Sequence, residues 1–470
     1  IYMIEIQLKH TKQQIKSVIE AVKSTGCSRI VCLSCETNIK DLLMWSNFFH
    51  FAEGFFWTTP NRTLEMMGIC PIVAVSSKER KNVFEDIQKK WKEMLHEAKN
   101  LVQDQLGLQY PISFGSFTFD AKQPHQEIWQ GLEENLLFVP EFLCIKKGEQ
   151  ISVILQLFVT NQTTYAGILD KIRMYEQLFC KAQHQLKERN LVISKVDLPY
   201  DDWRVLIEKA KVEIAAETLQ KIVLARASSL RFQNEICVSD ILKRLYQEQL
   251  ESYVFLLSRN GKSFIGATPE RLLYAKNRKV FSACVAGTQK RGSTESEDHQ
   301  LGRALLMDDK NACEHRFVVE KIKEVFATFC DTYDVPEMPV LLKNKFVQHL
   351  YTPIEGVLKT GTSLFSLMAS MHPTPALGGI PKRAALQFLR DEEHFERGWY
   401  GAPIGWLDQS ENGEFIVGIR SGLVAGKAIT LFAGCGIVAD SDAKLEYEET
   451  ALKFKPMLES MGVTMRNDER

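Results

Sequence analysis

Residues 253–287, with the sequence YVFLLSRNGKSFIGATPERLLYAKNRKVFSACVAG, decide the class of fold. They contain four consecutive runs that are rich in apolar, β-branched and aromatic residues, and short polar breaks separate the runs, which are YVFLLSR, KSFIGAT, RLLYAKN and KVFSACVAG. Runs of this kind are typical of strands. Because the breaks are too short for a helical crossover, the stretch predicts antiparallel sheet.

The rest of the chain extends this pattern. Further strands are predicted at RIVCLS (29–34), CPIVAVS (70–76), NLLFVPEFLCIKK (135–147), QISVILQLFV (150–159), KIVLARAS (221–228), FVQHLYTPIEG (346–356), APIGWLD (402–408), GEFIVGIRSGLVAG (413–426) and AITLFAGCGIV (428–438). Helices are predicted at 12–24, 83–107, 165–189, 203–218, 239–249, 298–330, 363–370, 381–392 and 443–461. This order predicts an α+β fold, a large sheet sandwich flanked by helices. Residues 1–195 are predicted to form an N-terminal α/β region packed into the same fold as a catalytic region over 196–465, because no flexible linker separates them.

The composition narrows the class of protein. The 470 residues include 58 basic and 59 acidic side chains, so no net charge favours nucleic acid or an anionic membrane as a partner. No apolar run approaches the roughly 18 residues that span a bilayer, and the first residues do not resemble a secretion signal. The 11 cysteines are scattered, which predicts free thiols, with Cys284 and Cys435 buried in strands, and a cytoplasmic protein.

Two predicted helices each place a glutamate on an apolar face. In NACEHRFVVEKIKEVF (311–326), helical spacing groups Glu314 with Met307, Phe317, Val318, Ile322 and Val325. In KLEYEETALKFKPML (444–458), it groups Glu449 with Leu445, Leu452, Met457, Glu446 and Lys453. A buried carboxylate needs a cation, and oxygen ligands without a Cys or His cluster indicate magnesium. For either glutamate alone, a salt-bridged or capping role is the alternative.

A lysine and a glutamate are candidates for acid–base chemistry. Strand alternation places Lys221 on a face of small apolar residues, where desolvation favours the neutral amine and makes it a usable general base. The alternative is an edge lysine that reaches solvent. In FIGATPERLL (264–273), a strand is predicted to end and a helical turn to begin, with Thr268 as N-cap and Glu270 in the first turn. Glu270 could protonate a substrate oxygen there, or simply complement the helix dipole.

Glycine-rich segments and a few polar residues are candidates for substrate binding. AGTQKRG (286–292), HPTPALGGIPKRAAL (372–386) and FAGCGIVADSD (432–442) predict turns whose backbone N–H groups could approach an anion, although none is a P-loop or a dinucleotide fingerprint. Arg420, in a predicted strand, could bind a carboxylate with two hydrogen bonds or form a structural ion pair. His349 and Tyr400 could orient a substrate or be core residues.

Nine segments between residues 200 and 465 together resemble the chorismate-utilising enzyme family, which includes anthranilate synthase component I, aminodeoxychorismate synthase component I, isochorismate synthase and salicylate synthase. The segments are KIVLAR, GATPERLL, AGTQKRG, DDKNACEH, QHLYTPIEG, MHPTPALGGIPK, GWYGAPIGW, GIRSGL and FAGCGIVADSDAKLEYEET. The resemblance implies a large α/β sandwich with the active site between its sheets, and a Mg²⁺-dependent reaction on chorismate.

The resemblance also assigns roles to individual residues. It implies that Lys221 activates water at ring carbon 2 and that Glu270 protonates the departing 4-hydroxyl. Glu314 and Glu449 would bind Mg²⁺, with Glu446 behind them, and Mg²⁺ would hold the ring carboxylate. Arg420 and the Gly434 turn would hold the enolpyruvyl carboxylate. The remaining residues expected to bind the substrate are Gly287, His349, Ala376, Leu377, Tyr400 and Lys453.

Within the family, HPTPALGG with Ala376 resembles isochorismate synthases, and the long N-terminal part resembles those of the menaquinone pathway. The expected activity is therefore isomerisation of chorismate to isochorismate without an obligatory glutaminase subunit. Salicylate synthase, an ammonia-using synthase and a regulatory chorismate-binding homologue are the alternatives. Cys435 departs from the family pattern, which usually has alanine between these glycines.

Overall fold

The computed structural model describes residues 4–50, 52–181, 190–344 and 346–463, and it leaves the side chains of residues 50, 181, 310 and 314 undescribed. Within these ranges, 22 strands are connected by pairing into one sheet. The strands are β1 (Ile6–Leu8), β2 (Arg29–Thr37), β3 (Gly54–Thr58), β4 (Leu64–Ser77), β5 (Lys99–Asn100), β6 (Ile112–Ser116), β7 (Asn135–Lys147), β8 (Gln150–Val159), β9 (Val192–Asp197), β10 (Lys221–Phe232), β11 (Tyr253–Arg259), β12 (Lys262–Thr268), β13 (Arg271–Lys276), β14 (Lys279–Lys290), β15 (Cys330–Asp334), β16 (Val340–Lys343), β17 (Val347–Leu358), β18 (Gly379–Ile380), β19 (Pro403–Asp408), β20 (Gly413–Val417), β21 (Ser421–Ala425) and β22 (Ala428–Ile437).

Ten α-helices lie in the same described ranges. They are α1 (Lys12–Thr25), α2 (Val83–Leu95), α3 (Tyr165–Lys181), α4 (Tyr200–Ala215), α5 (Val238–Glu248), α6 (Glu295–Met307), α7 (Asp309–Phe329), α8 (Leu364–Met371), α9 (Lys382–Glu392) and α10 (Ala443–Ser460). Short 3-10 helices occupy Leu43–His50, Pro60–Arg62 and Glu127–Trp129. None of the helices in the described part of the chain is long and apolar enough to cross a membrane.

Most strands are buried on both faces and helices flank them, which is the α+β sandwich that the sequence predicts; β5, β9 and β15 are largely exposed. Alternate residues of one strand face different cores: Phe55 and Trp57 of β3 pack in one, and Phe56 packs in the other. Helices α2, α4, α7, α8 and α9 contribute apolar residues to the first core, and α1, α3, α5 and the end of α10 contribute apolar residues to the second. Burial of strands on both faces explains why their sequences are almost continuously apolar.

Strands from either side of residue 195 pair with each other. β3 pairs with β11, with Thr58 opposite Val254, and β6 pairs with β19, with Ser116 opposite Ile404. The N-terminal strands therefore lie in the same sheet as the strands of the second half. The division into two regions at 195 remains a prediction.

Two predicted helices are wrong in their extent, and the end of a third is untested. The helix predicted over 83–107 ends at Leu95, because Lys99–Asn100 pair with β2 and the Leu101 N–H donates to the Cys32 carbonyl. The helix predicted over 298–330 is two helices, since Asp308 is extended and its side chain caps α7 by accepting from the Asn311 N–H. The end of the helix predicted over 165–189 falls on residues 182–189, outside the described residues.

Candidate active site

One cavity, bounded by β10, β14, β17, β22 and α10, brings together most of the residues that the sequence indicated. Those in its lining are Glu270, Gly287, His349, Ala376, Leu377, Tyr400, Arg420, Gly434, Glu449 and Lys453. They come from segments spread over 184 residues of sequence, from 270 to 453. The cavity therefore joins residues that only the folded sheet can bring into contact.

Glu270 lies in the two-residue connection between β12 and β13, so the helical turn predicted there is wrong. The backbone is already engaged by the sheet: the Val417 N–H donates to the Glu270 carbonyl, and Arg271 pairs with Ile416. The side chain is 4% exposed. Burial raises the pKa of the Glu270 carboxyl to about 8, although the positive charges of Lys221, Arg420 and Lys453 oppose the shift. Glu270 is therefore a protonated acid at neutral pH.

Lys221 is the first residue of β10 and is fully buried. It is not in the cavity lining, but its charge acts on the pKa of Glu270 more strongly than that of Arg420 or Lys453. The amine is thus close enough to the Glu270 carboxyl to interact with it electrostatically. Because Lys221 is buried, the alternative of an edge lysine that reaches solvent is excluded.

Arg420 and His349 form the basic side of the cavity. Arg420 was predicted inside a strand, which is wrong, because it lies between β20 and β21 with φ 51°. β20 pairs with β13 and β19, whereas β21 pairs with β12 and β22, so the chain changes its strand partners at Arg420. Its Nη2 lies 3.3 Å from Nε2 of His349, and Nδ1 of His349 lies 3.1 Å from Oγ1 of Thr288. Burial and the neighbouring cations hold the pKa of His349 well below its usual value. A neutral ring that accepts from Arg420 at Nε2 carries its proton on Nδ1, where the Thr288 hydroxyl and the Gly287 backbone are its partners.

Helix α10 brings Glu449 and Lys453 to the cavity. Oε1 of Glu449 lies 2.7 Å from Nζ of Lys453, which also donates to the Gly434 carbonyl at 2.7 Å. The apolar face predicted for Glu449 is wrong, because Leu445 is 64% exposed and Leu452 is 37% exposed. The buried face of α10 is rotated from that prediction and consists of Ala443, Glu446, Thr450, Phe454, Met457, Leu458 and Ser460, with Pro456 also buried.

The predicted metal ligand Glu314 lies in α7, and its side chain is outside the described residues. Met307, predicted on the same face, belongs to α6 and is 82% exposed, because the break at Asp308 separates the two helices. The neighbouring His315 fixes this turn of α7 to the cavity wall: Nδ1 contacts the Ala286 carbonyl at 3.1 Å, and Nε2 contacts Oγ1 of Thr352 at 2.8 Å.

The carboxylates that α10 brings to the cavity suit a hard divalent cation. Glu449 presents a carboxylate to the cavity, and Glu446 is buried at 3% exposure one turn earlier in α10. Carboxylate oxygens are the protein ligands that Mg²⁺ prefers. Among the described side chains, which exclude residue 314, no three His, Cys, Asp or Glu residues are grouped as a metal site.

Two glycines shape the cavity wall. Both were predicted in turns, but they lie within strands, Gly287 at a bulge in β14 with φ 83° and Gly434 in β22. A Cβ on Gly434 would be 2.8 Å from the Leu224 carbonyl and 3.1 Å from the hydroxyl of Tyr400. Only glycine therefore lets β22 pass this close to Leu224 and Tyr400.

The sequence did not indicate several lining residues, among them Val223, Thr288 and Phe432. Thr288 follows Gly287 directly, and its hydroxyl contact with His349 was not visible without the pairing of β14 with β17. Phe432 of β22 stacks on Tyr400 with a ring-centroid distance of 5.3 Å, a contact between distant segments that sequence spacing does not indicate. Cys435, which the sequence predicted to be buried, also lines the cavity as a free thiol.

Comparisons with known proteins agree on one family. The family model described as chorismate binding enzyme matches residues 14–462. Isochorismate synthase MenF of Bacillus subtilis is 36% identical over 460 residues, covering 95% of this chain and 97% of that protein. The salicylate biosynthesis isochorismate synthase of Pseudomonas aeruginosa is 31% identical over 88% of this chain and 86% of that protein. The structure of MenF, the menaquinone-specific isochorismate synthase of Escherichia coli, has a TM-score of 0.76 at 24% identity and covers 96% of this chain and 100% of that chain.

Proposed function

The chain belongs to the chorismate-binding enzyme family, and we propose that it is an isochorismate synthase, which converts chorismate to isochorismate by adding water at ring carbon 2 and releasing the 4-hydroxyl group. The observation that carries the proposal is the buried pair of Lys221 and Glu270, in which the carboxyl is protonated at neutral pH. An exchange of hydroxyl groups across a diene requires a base and an acid in one enclosed site.

The proton transfers balance if Lys221 and Glu270 act together. The Lys221 amine takes a proton from the attacking water as the C2–O bond forms. The Glu270 carboxyl gives its proton to the 4-oxygen as the C4–O bond breaks, and water leaves. The pair ends as ammonium and carboxylate, so returning one proton from Lys221 to Glu270 restores the enzyme. The net reaction is an isomerisation without a net proton change.

The cationic wall is proposed to bind the carboxylates of chorismate. Arg420 and Lys453 line the cavity together with Gly434, and their charges are only partly balanced by Glu449. The guanidinium of Arg420 can bind one carboxylate with two hydrogen bonds, and the neutral His349 fixes its orientation. Tyr400, Ala376, Leu377 and Gly287 are proposed to enclose the ring.

We propose that Mg²⁺ is held by Glu314 and Glu449, with Glu446 behind them. When bound, the ion would supply positive charge for the ring carboxylate of chorismate and polarise its conjugated system. The fit rests on the carboxylate donors of α10, since the side chain of Glu314 is not described. The menaquinone pathway is proposed from the extensive match to the MenF of B. subtilis. The cytoplasmic location and the absence of an obligatory glutaminase subunit remain predictions.

The purified protein is expected to convert chorismate, in the presence of Mg²⁺, to a product of unchanged mass. The reaction should be followed by liquid chromatography with mass detection, with and without ammonium, and with a chelator as control for the metal. A fluorescent salicylate product would favour pyruvate elimination, and a nitrogen-containing product would favour an aminating synthase. Binding of chorismate without any conversion would favour the regulatory homologue.

The pH profile of the rate should bend downward at about pH 8. Glu270 must be protonated to act as an acid, and burial raises its pKa to about 8. Above that pH its acid form falls tenfold for each pH unit, so the slope of log(kcat/KM) against pH should decrease by about one there, whatever slope the base Lys221 contributes. Initial rates at low chorismate concentration report kcat/KM, which follows the free enzyme. A profile with no downward change of slope within about one pH unit of 8 would contradict the assignment of Glu270.

A further inference from the structure

A buried ion pair occupies a gap along one edge of β10. One edge of this strand pairs with β22 from Ile222 to Arg231. The other edge pairs with β18 only at Lys221 and Ile222, and with β9 only from Ser228 onward. Between these two stretches, the side chains of Glu393 and Arg397 take the place of a neighbouring strand.

The pair binds the backbone of two cavity walls. Oε1 of Glu393 accepts from the Ala225 N–H at 2.7 Å. The guanidinium of Arg397 donates to the Val223 carbonyl from Nη2 and to the Leu377 carbonyl from Nη1, each at 2.7 Å. Val223 and Leu377 both line the cavity. One rigid group thus spans the strand that carries Lys221 and the loop that carries Leu377.

The pair is fully enclosed. The side chains of Arg397 and Glu393 are 1% and 2% exposed, and Nε of Arg397 lies 2.8 Å from Oε2 of Glu393. The guanidinium also lies over the ring of Phe119, with 4.3 Å from its central carbon to the ring centroid. A buried ion pair contributes little net stability compared with apolar residues of the same volume, because both charges lose their hydration. What it provides is a fixed geometry, since the donors of a guanidinium lie in one plane.

We propose that Arg397, oriented by Glu393, is a positioning residue that sets the spacing between the Lys221 strand and the loop at Leu377. The proposal rests on the function proposed above, in which Lys221 is the base. Neither residue lines the cavity, so neither is expected to touch the substrate. An error of about 1 Å in the position of a reacting group can cost about 100-fold in rate.

The test is the variant Arg397→Lys, which keeps the positive charge but cannot bind both carbonyls and the carboxylate together. Its kcat for chorismate conversion is expected to fall by about 10- to 100-fold, with KM within about threefold of the wild type. Glu393→Asp shortens the side chain whose carboxylate orients the guanidinium. It should likewise lower kcat and leave KM nearly unchanged. The matched control is Arg390→Lys in α9, which loses an ion pair with Asp120 (2.6 Å) that contacts no cavity wall. Its kcat should stay within about twofold.

Thermal unfolding of each variant establishes that it is folded. The positioning role is rejected if folded Arg397→Lys and Glu393→Asp both keep wild-type kcat, or if only KM changes. It is also rejected if neither variant folds, because the pair is then a determinant of folding. Failure of the proposed function is a separate outcome: the wild type would form a different product or none. If the wild type forms a different product, the ratio of variant to wild-type turnover still decides the role of Arg397. If the wild type forms no product, both the positioning role and the proposed function are rejected.

Discussion

Replacing Lys221 with methionine is expected to lower kcat for isochorismate formation by about 10²- to 10⁴-fold, the usual contribution of a general base. Methionine is similar in length and apolar, so it suits a position that is fully buried at the start of β10. Chorismate binding should change by less than about threefold, because Lys221 does not line the cavity. Single-turnover rates and titration calorimetry with chorismate measure the two quantities separately.

Two further variants separate loss of the base from loss of a buried basic side chain. Lys221→Arg keeps a long nitrogen-bearing side chain but cannot accept a proton, because guanidinium stays protonated in proteins. It should be as inactive as Lys221→Met. Lys262→Met is the matched control: this lysine donates to the carbonyls of Ile128 and Gln130 at 2.8 and 2.7 Å and does not line the cavity. Its loss should lower the unfolding temperature and leave kcat unchanged. Turnover retained in folded Lys221→Met would refute the role of the base.

The strands of the catalytic half could be predicted because their apolar runs have the length of a strand and end at polar breaks. β11 and β12 begin and end at the residues predicted from YVFLLSR and KSFIGAT. The prediction failed where the backbone changes partner. Arg420 and Glu270 both lie where one strand ends and the next begins, and their conformations depend on pairing with strands distant in sequence. Local spacing contains no information about those partners.

The faces of the helices were predicted less well than the strands. Helical spacing grouped Glu449 with Leu445 and Leu452, yet the sheet packs against another side of α10, and these two leucines are exposed. A helix with apolar residues on several sides has no unique buried face until its partner is known. The Glu393–Arg397 pair was missed for a related reason. A glutamate and an arginine four residues apart usually indicate an exposed helical pair, whereas this pair is buried against β10.

The charges around the cavity suit a substrate with two carboxylates. Lys221, Arg420 and Lys453 all act on Glu270, and burial nevertheless keeps that carboxyl protonated at neutral pH. Among the described side chains, Glu449 is then the remaining carboxylate in the lining, and it is paired with Lys453. A dianion entering this cavity would meet a surplus of positive charge. The dianion would also favour the protonated form of Glu270, so substrate binding and protonation of Glu270 favour each other.

Replacing Glu270 with glutamine is expected to lower kcat by about 10²- to 10⁴-fold, because an amide of the same shape cannot give up a proton to the departing 4-oxygen. Glu65→Gln is the matched control: Glu65 is fully buried, and its carboxylate contacts Lys146 at 3.1 Å and Tyr246 at 3.0 Å, away from the cavity lining. That change should affect stability without removing turnover.

The role of Glu270 as an acid can be distinguished from a role in packing by the leaving group. A chorismate analogue whose 4-substituent departs without protonation no longer needs the acid, so Glu270→Gln should recover most of its lost rate with that analogue. Lys221→Met should recover little, because water must still be deprotonated at carbon 2. Stopped-flow absorbance of the diene would follow both reactions. An equal defect of Glu270→Gln with chorismate and with the analogue would show that the carboxyl does not protonate the leaving oxygen.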